Sequence, residues 1–145
     1  MSAGFLLDTC AISEPTRTRP DAAVVAWLDQ DHTAKQCYIS VITVAEIQQG
    51  ISRLGDVVRA GKLHTWLNNV MLPKFHGRTL DVDMDTAKLW GDMRGQAMRQ
   101  GRPLTMVDSL LAATARTHGL TVVTRNVRDF ETMGVEVFNP WESPR

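Results

Sequence analysis

Short apolar runs alternate with longer amphipathic segments along this chain, a pattern typical of strands and helices that follow one another. The first run, Phe5–Leu7, stops at the carboxylate of Asp8. Strands are predicted at residues 5–7, 37–41, 79–82, 120–124 and 135–138. If the first strand belongs to a parallel sheet, Asp8 lies at its carboxyl end, where open α/β sheets place their ligands.

Helical periodicity fills the intervals between these strands. Helices are predicted at residues 20–31, 43–54, 57–72, 83–100, 105–118 and 127–133, and residues 14–20 form a loop rich in Pro, Thr and Arg. Pro20 can begin a helix, Pro73 is expected to end one, and Gly101 and Gly119 act as stops. Strands that alternate with helices predict an α/β fold with a central parallel sheet covered on both faces.

Length and composition narrow the class of protein. Residues 1–145 are expected to form a single domain, since 145 residues with 43% hydrophobic and 22% charged side chains suit one globular unit. No apolar run reaches membrane-spanning length, and the start of the chain lacks the features of a signal peptide. Cys10 and Cys37 have no metal or redox spacing, which favours a reduced, cytoplasmic protein. Four scattered histidines make a zinc site improbable.

Three predicted helices begin with a capping residue followed by an acid three positions later: Thr43 with Glu46, Thr105 with Asp108, and Asn126 with Asp129. Taken singly, each acid is explained by helix capping and by the helix dipole, which contribute about 0.3–1 kcal/mol. The joint pattern points further, because parallel strands bring their carboxyl ends to the same edge as Asp8. Asp108 also stands among apolar neighbours, where a lone acid would be unusual.

Four carboxylates at one edge would repel one another unless cations lie among them. Oxygen ligands without convergent His or Cys indicate Mg²⁺ or Mn²⁺, which activate water and stabilise a phosphate during in-line displacement. The chain has no Gly-rich phosphate loop, no cysteine-phosphatase or haloacid dehalogenase spacing, and no nucleophile elbow. Arg102, Arg125 and Arg128 are candidate contacts for phosphates of the substrate, although an ordinary charged surface explains them equally well.

Several motifs in order resemble the PIN-domain ribonucleases, in particular the VapC/FitB type of toxin. They are Leu6-Leu7-Asp8-Thr9, Ile12-Ser13-Glu14, Thr43-Val44-Ala45-Glu46-Ile47, the segment Val107-Asp108-Ser109-Leu110-Leu111-Ala112-Ala113-Thr114-Ala115, Thr124-Arg125-Asn126-Val127-Arg128-Asp129-Phe130 and Asn139-Pro140-Trp141. Each motif is loose by itself, but the set in this order and spacing is specific, and the likeness runs almost from end to end.

The resemblance implies a three-layer α/β/α sandwich and metal-dependent endonucleolytic cleavage of RNA with Mg²⁺ or Mn²⁺. It also implies a homodimer that a cognate antitoxin inhibits in a type II toxin–antitoxin pair, and the Trp and Met content of the helices agrees with a dimer. Four acids match the metal-binding and catalytic positions: Asp8, Glu46, Asp108 and Asp129. Supporting polar positions are matched by Thr9, Thr124 and Asn126.

One position departs from the family pattern. Cys10 stands where members usually have Asn, so the side-chain hydrogen bonds of that Asn are expected to be lost and the loop around Asp8 to be less rigid. The chemistry is expected to survive, because this Asn is not the principal metal ligand. Two other functions stay open at this point. One is a non-catalytic metal- or RNA-binding module, and the other is a PIN-type nuclease that acts on DNA.

Overall fold

Five parallel strands form one sheet in the order β3-β2-β1-β4-β5. The computed structural model describes residues 4–142 except for the side chain of His32, so residues 1–3, on which part of the signal-peptide expectation rests, lie outside it. The strands are β1 (Phe5–Leu7), β2 (Cys37–Ser40), β3 (Thr79–Leu80), β4 (Thr121–Val123) and β5 (Val137–Phe138). The parallel sheet predicted from the alternating pattern is confirmed, although several strands are shorter than expected.

Helices cover both faces of this sheet. They are α1 (Thr9–Ile12), α2 (Ala22–Leu28), α3 (Asp31–Gln36), α4 (Val41–Arg53), α5 (Val57–Trp66), α6 (Leu72–Lys74), α7 (Met84–Arg99), α8 (Met106–His118) and α9 (Val127–Glu131). Short 3-10 turns at Glu14–Thr16 and Pro140–Glu142 and a π-helical turn at Leu67–Met71 complete the described elements. No helix within residues 4–142 is long and apolar enough to cross a membrane.

The core is divided by the sheet into two apolar clusters. Side chains alternate along a strand, so Leu6 and Val122 pack with α8 on one face while Leu7 and Val123 pack on the other. All four of these side chains are completely buried. The three-layer arrangement therefore follows from apolar runs that are buried on both sides of the central strands.

Two predicted helices have different boundaries in the structure. The helix expected at residues 20–31 is divided into α2 and α3, because Gln30 has an extended backbone that begins a second helix. The helix expected to begin at Thr43 begins at Val41, since Ser40 is the N-cap and its Oγ accepts a hydrogen bond of 3.0 Å from Ile42 N. Glu46 therefore lies in the second turn of α4 and is not part of a capping box.

The expected stop at Pro73 is also wrong. After α5 the chain continues as a π-helical turn, Leu67–Met71, and then as α6, which contains Pro73. Leu72 N donates to Leu67 O across the wider turn, and Pro73 then lies in the first turn of α6, where it needs no N–H donor. By contrast, Gly119 ends α8 as expected, in the left-handed conformation with φ 66°.

Candidate active site

The carboxyl edge of the sheet, beyond the ends of β1, β2 and β4, holds most of the polar residues singled out above. Asp8 directly follows β1, Glu46 projects from α4 after β2, and Thr124 directly follows β4. Asp108 and Asp129 lie in the first turns of α8 and α9. Right-handed crossovers in a parallel sheet bring these turns together.

Asp8 is the most constrained of the acids, with only 6% of its surface exposed. Its Oδ1 accepts a hydrogen bond of 2.8 Å from Thr9 N, so Asp8 caps the short helix α1. Its Oδ2 accepts a hydrogen bond of 2.7 Å from the hydroxyl of Thr124, which is fully buried. Thr124 Oγ1 accepts in turn from Asn126 N at 3.0 Å. The orientation of Asp8 therefore depends on residues that follow β1 and β4.

Glu46 is joined to Asp8 through Thr9, whose hydroxyl donates a short hydrogen bond to Glu46 Oε1. Burial raises the pKa of Glu46 above its ordinary value of 4.5, and the charges of Asp8 and Asp108 raise it further. The hydrogen bond from Thr9 acts in the opposite direction. Thr9 thus positions two carboxylates at once, through its amide and its hydroxyl.

Asp108 is affected by the charges of two of the other acids, Asp8 and Asp129. Burial raises the pKa of Asp108 above 3.8, with further increases from the charges of Asp8 and Asp129 and an opposing effect of Thr105. Within residues 4–142, none of the four acids has a Lys, Arg or His nitrogen within the 4.0 Å of an ion pair. The site is thus a concentration of negative charge that no cation among the described side chains offsets directly.

Cys10 retains weak contacts with the site in place of the amide expected there. Its Sγ lies 3.5 Å from Asp8 Oδ2 and 3.8 Å from Thr124 Oγ1. Burial raises the pKa of this thiol to about 11, and the charge of Asp8 adds to the effect. The thiol is therefore protonated at neutral pH, when it can donate a weak hydrogen bond to Asp8.

The remaining predicted residues are more exposed. Asn126 contributes its backbone N–H to Thr124, while its side chain makes no capping hydrogen bond to α9. Arg102 donates to Gln100 Oε1 at 2.6 Å, and Arg128 is exposed. Arg125 lies 3.9 Å from a Glu14 oxygen, with its guanidinium 4.5 Å from the ring centroid of Trp141. Of the three candidate phosphate contacts, Arg125 directly follows Thr124.

Glu14 is a polar centre that the sequence reasoning missed as a site. It was assigned to a loop rich in Pro, Thr and Arg, yet the residue is only 1% exposed. Its Oε1 accepts from Trp141 Nε1 at 3.0 Å and lies 3.6 Å from Arg17, and its Oε2 accepts from Asp21 N at 3.2 Å. The only available signal was its place in the Ile12-Ser13-Glu14 motif, since burial of this acid depends on a tryptophan at the far end of the chain.

The acids fit a divalent cation by their chemistry, although they do not form a closed coordination sphere. The atoms that these acids would offer to a cation are all oxygens. The raised pKa values of Glu46 and Asp108 indicate that added positive charge would be favourable. However, no group of three or more His, Cys, Asp or Glu side chains in the described part of the chain is arranged to hold a metal ion. Both oxygens of Asp8 are already hydrogen-bonded within the protein.

Fold and acidic edge together define a class of protein. Residues 5–135 match the family described as PIN domain. The chain is 42% identical to Toxin FitB of Neisseria gonorrhoeae over 137 residues, which cover 94% of this chain and 98% of that one. It is 37% identical to VapC ribonuclease Y4jK of Sinorhizobium fredii, with 95% and 98% covered. The chain belongs to the PIN-domain family, and the predicted family is confirmed.

A solved structure gives the same result for the fold. The crystal structure of FitAcB from Neisseria gonorrhoeae superposes with a TM-score of 0.87 at 41% identity, covering 96% of this chain and 99% of that chain. The three-layer α/β/α sandwich expected from the resemblance is therefore confirmed at the level of the whole fold. Within the family, the chain is most usefully compared with the toxins and ribonucleases of the FitB/VapC group.

Proposed function

We propose that this protein is a metal-dependent endoribonuclease that acts as the toxin of a type II toxin–antitoxin pair. The observation that carries the proposal is the unneutralised set of acids at the carboxyl edge of a PIN-domain sheet, with raised pKa values at Glu46 and Asp108. Catalytic sites are where burial and like charge are combined to shift pKa values in this way. The ribonuclease name of a relative at 37% identity supports RNA as the substrate.

In this proposal Asp8, Glu46, Asp108 and Asp129 hold one or two divalent cations, Mg²⁺ or Mn²⁺, directly or through water. A cation bound there supplies an activated water and stabilises the developing charge on the phosphate. Thr124 and Thr9 hold the Asp8 carboxylate in position, and Thr9 does the same for Glu46. Burial and like charge raise the pKa values of Glu46 and Asp108, so these carboxylates bind a proton more tightly than ordinary acids, which suits a general base.

The experiment is an RNA cleavage assay with Mg²⁺ or Mn²⁺, repeated with EDTA. We expect cleavage that EDTA abolishes, and we expect Asp8→Asn or Asp108→Asn to remove it. The matched control is Asp92→Asn, because Asp92 is an exposed acid on α7 that only accepts from Gln96. Full metal-dependent activity in Asp108→Asn would contradict the assignment of the site.

A non-catalytic module is the second candidate, favoured by one observation. Both Asp8 oxygens are held by internal hydrogen bonds, and the described acids leave no preformed metal cluster. If the protein acts only by binding, the wild type and Asp108→Asn should arrest cell growth equally well. If it is a nuclease, Asp108→Asn should no longer arrest growth. Parallel digestion of RNA and DNA separates the remaining alternative, a nuclease that acts on DNA.

The partners follow from the same proposal. A toxin of this kind would be inhibited by a cognate antitoxin in the cytoplasm, where its RNA substrate is found, and residues 1–145 would act as one nuclease domain. The tryptophans are partly buried, but Met84, Met98 and Met106 are 75%, 69% and 57% exposed on or beside α7 and α8, which supports a homodimer. Light scattering at micromolar concentration should give the mass of a dimer, and a monomer would contradict it.

A further inference from the structure

A second charged feature lies outside the acidic site. An open concavity of about 360 Å³ is lined by Arg17, Thr18, Arg19 and Arg59. Arg17 and Arg19 come from the loop after the Glu14–Thr16 turn, and Arg59 comes from the first turn of α5. Three arginine residues thus line one depression, and no acidic residue is among its lining residues. We call these three arginines the arginine cluster.

Most of the positive charge of the arginine cluster has no ion-pair partner in the part of the chain that the structure describes. Among the described residues, neither Arg19 nor Arg59 has a carboxylate within 4.0 Å, and Arg17 pairs only with Glu14. The acid closest to Arg59 along the chain is Asp56, whose Oδ1 accepts from Val58 N and Arg59 N at 3.1 Å as the cap of α5. Positive charges that line one depression without acidic partners create a positive potential, which favours an anionic ligand.

The arginine cluster is connected to the acidic site by a chain of direct contacts. Thr124 donates to Asp8, and the next residue, Arg125, lies 3.9 Å from Glu14 Oε1. The same oxygen lies 3.6 Å from Arg17, so one buried carboxylate holds both arginines. Arg17 and Arg125 therefore share this carboxylate, with 57% and 51% of their side chains exposed, between the edge of the sheet and the concavity.

We propose that the arginine cluster binds backbone phosphates of the RNA strand where it leaves the acidic site past Arg125. This inference rests on the proposed ribonuclease function. The guanidinium fork matches phosphate oxygens in bidentate geometry, which makes arginine well suited to this ligand. Continuity with the acidic site favours an extended polyanion that occupies both places over an acidic peptide that would need only the cluster.

The test uses Arg19→Gln/Arg59→Gln and leaves Arg17 intact, because Arg17 contacts the buried Glu14. Binding of a fluorescent single-stranded RNA is measured by anisotropy in EDTA, in an Asp108→Asn background, over a series of salt concentrations. Each phosphate contact to a single strand contributes about 0.7 to the slope of log K against log salt, so the double variant should lower the slope by about 1.4. The same term predicts binding that is roughly tenfold weaker at 0.15 M salt.

The control is Lys88→Gln/Arg99→Gln, which removes the same charge from exposed positions on α7. Equal salt slopes for the two double variants would overturn the proposal. So would a cluster variant that binds RNA normally but no longer binds a polyglutamate peptide, since the cluster would then serve an acidic protein partner. With Asp108 restored and metal added, the cluster variant should raise KM for RNA while kcat stays within about twofold.

Different results would contradict the proposed function and the proposed role of the arginine cluster. A wild-type protein that cleaves no RNA with Mg²⁺ or Mn²⁺ would contradict the ribonuclease, whatever the salt slope. A wild-type protein that cleaves RNA, together with an unchanged slope in the cluster variant, would contradict the cluster alone.

Discussion

Replacing Thr124 with Val should destabilise the protein because it removes a fully buried hydroxyl that makes two hydrogen bonds. The hydroxyl donates to Asp8 Oδ2 at 2.7 Å and accepts from Asn126 N at 3.0 Å. A hydrogen bond to a charged group contributes about 1.5–3 kcal/mol, and a neutral one about 0.5–1.5 kcal/mol. Because valine nearly preserves the shape, the free energy of unfolding should fall by roughly 2–4 kcal/mol.

Thr124→Ser is the matched control, since serine keeps the hydroxyl and loses only a methyl group. Its expected cost is about 1 kcal/mol, the value for one buried methylene-sized group. Urea denaturation in EDTA at pH 7 measures both variants, and equal m values would indicate that the change lies in stability rather than in compactness. The difference between the two variants isolates the hydroxyl from the packing of the side chain.

The result that would refute the reasoning is equal stability of the Val and Ser variants, because the hydroxyl would then contribute nothing beyond its methyl neighbour. Cleavage activity gives an independent measurement. Residues that orient metal ligands typically cost 10–100-fold in metal affinity or activity when they are replaced. We therefore expect roughly that loss in Thr124→Val, with Thr124→Ser much closer to wild type.

Three further predictions concern pH, thiol reactivity and backbone conformation. The folded-state pKa values of Glu46 and Asp108 are raised above 4.5 and 3.8. Their contribution to the stability of the metal-free protein is therefore present at low pH and is lost as pH rises through the folded-state values. Urea denaturation in EDTA should detect this pH dependence, and Asp108→Asn should weaken it. The pKa values of Cys10 and Cys37 are about 11, so a thiol reagent at pH 8 should react slowly with the folded protein and fast with both thiols in urea. Fast reaction of both thiols in the folded state would contradict the burial of these two side chains. Gly119 has φ 66°, so Gly119→Ala should cost about 1–2 kcal/mol by thermal or urea denaturation, and an unchanged stability would contradict the left-handed conformation.

Much of the fold was accessible from the sequence because its signals are local. Leu6 with Leu7 and Val122 with Val123 are apolar on both faces, which only a covered parallel sheet explains. Helix ends were less accessible. Ser40 and Thr43 are both good capping residues, and the choice between them depends on where β2 ends. The π-helical turn before Pro73 has no sequence signal of its own, although it buries Leu67 and Met71.

Some residues of the candidate site could likewise be predicted from the sequence, and others could not. Asp8, Glu46, Asp108 and Asp129 were predicted because strand ends and helix starts mark the edge of a sheet, and their role stays a prediction. Burial of Glu14 was not accessible, since its hydrogen bond from Trp141 joins residues 127 positions apart. The arginine cluster was missed for a similar reason, because a loop and a later helix come together only after folding.

The bond between Thr124 and Asp8 spans 116 positions, and this separation bears on how the protein is made. Of the two neighbours of β1 in the sheet, β4 is synthesised much later than β1 itself. Asp108, Thr124 and Asp129 follow Asp8 and Glu46 in the chain, so the acidic edge cannot assemble until these three residues have also emerged from the ribosome. For a protein proposed to cut RNA, we expect this order of synthesis to protect the message from the chain that is being translated from it.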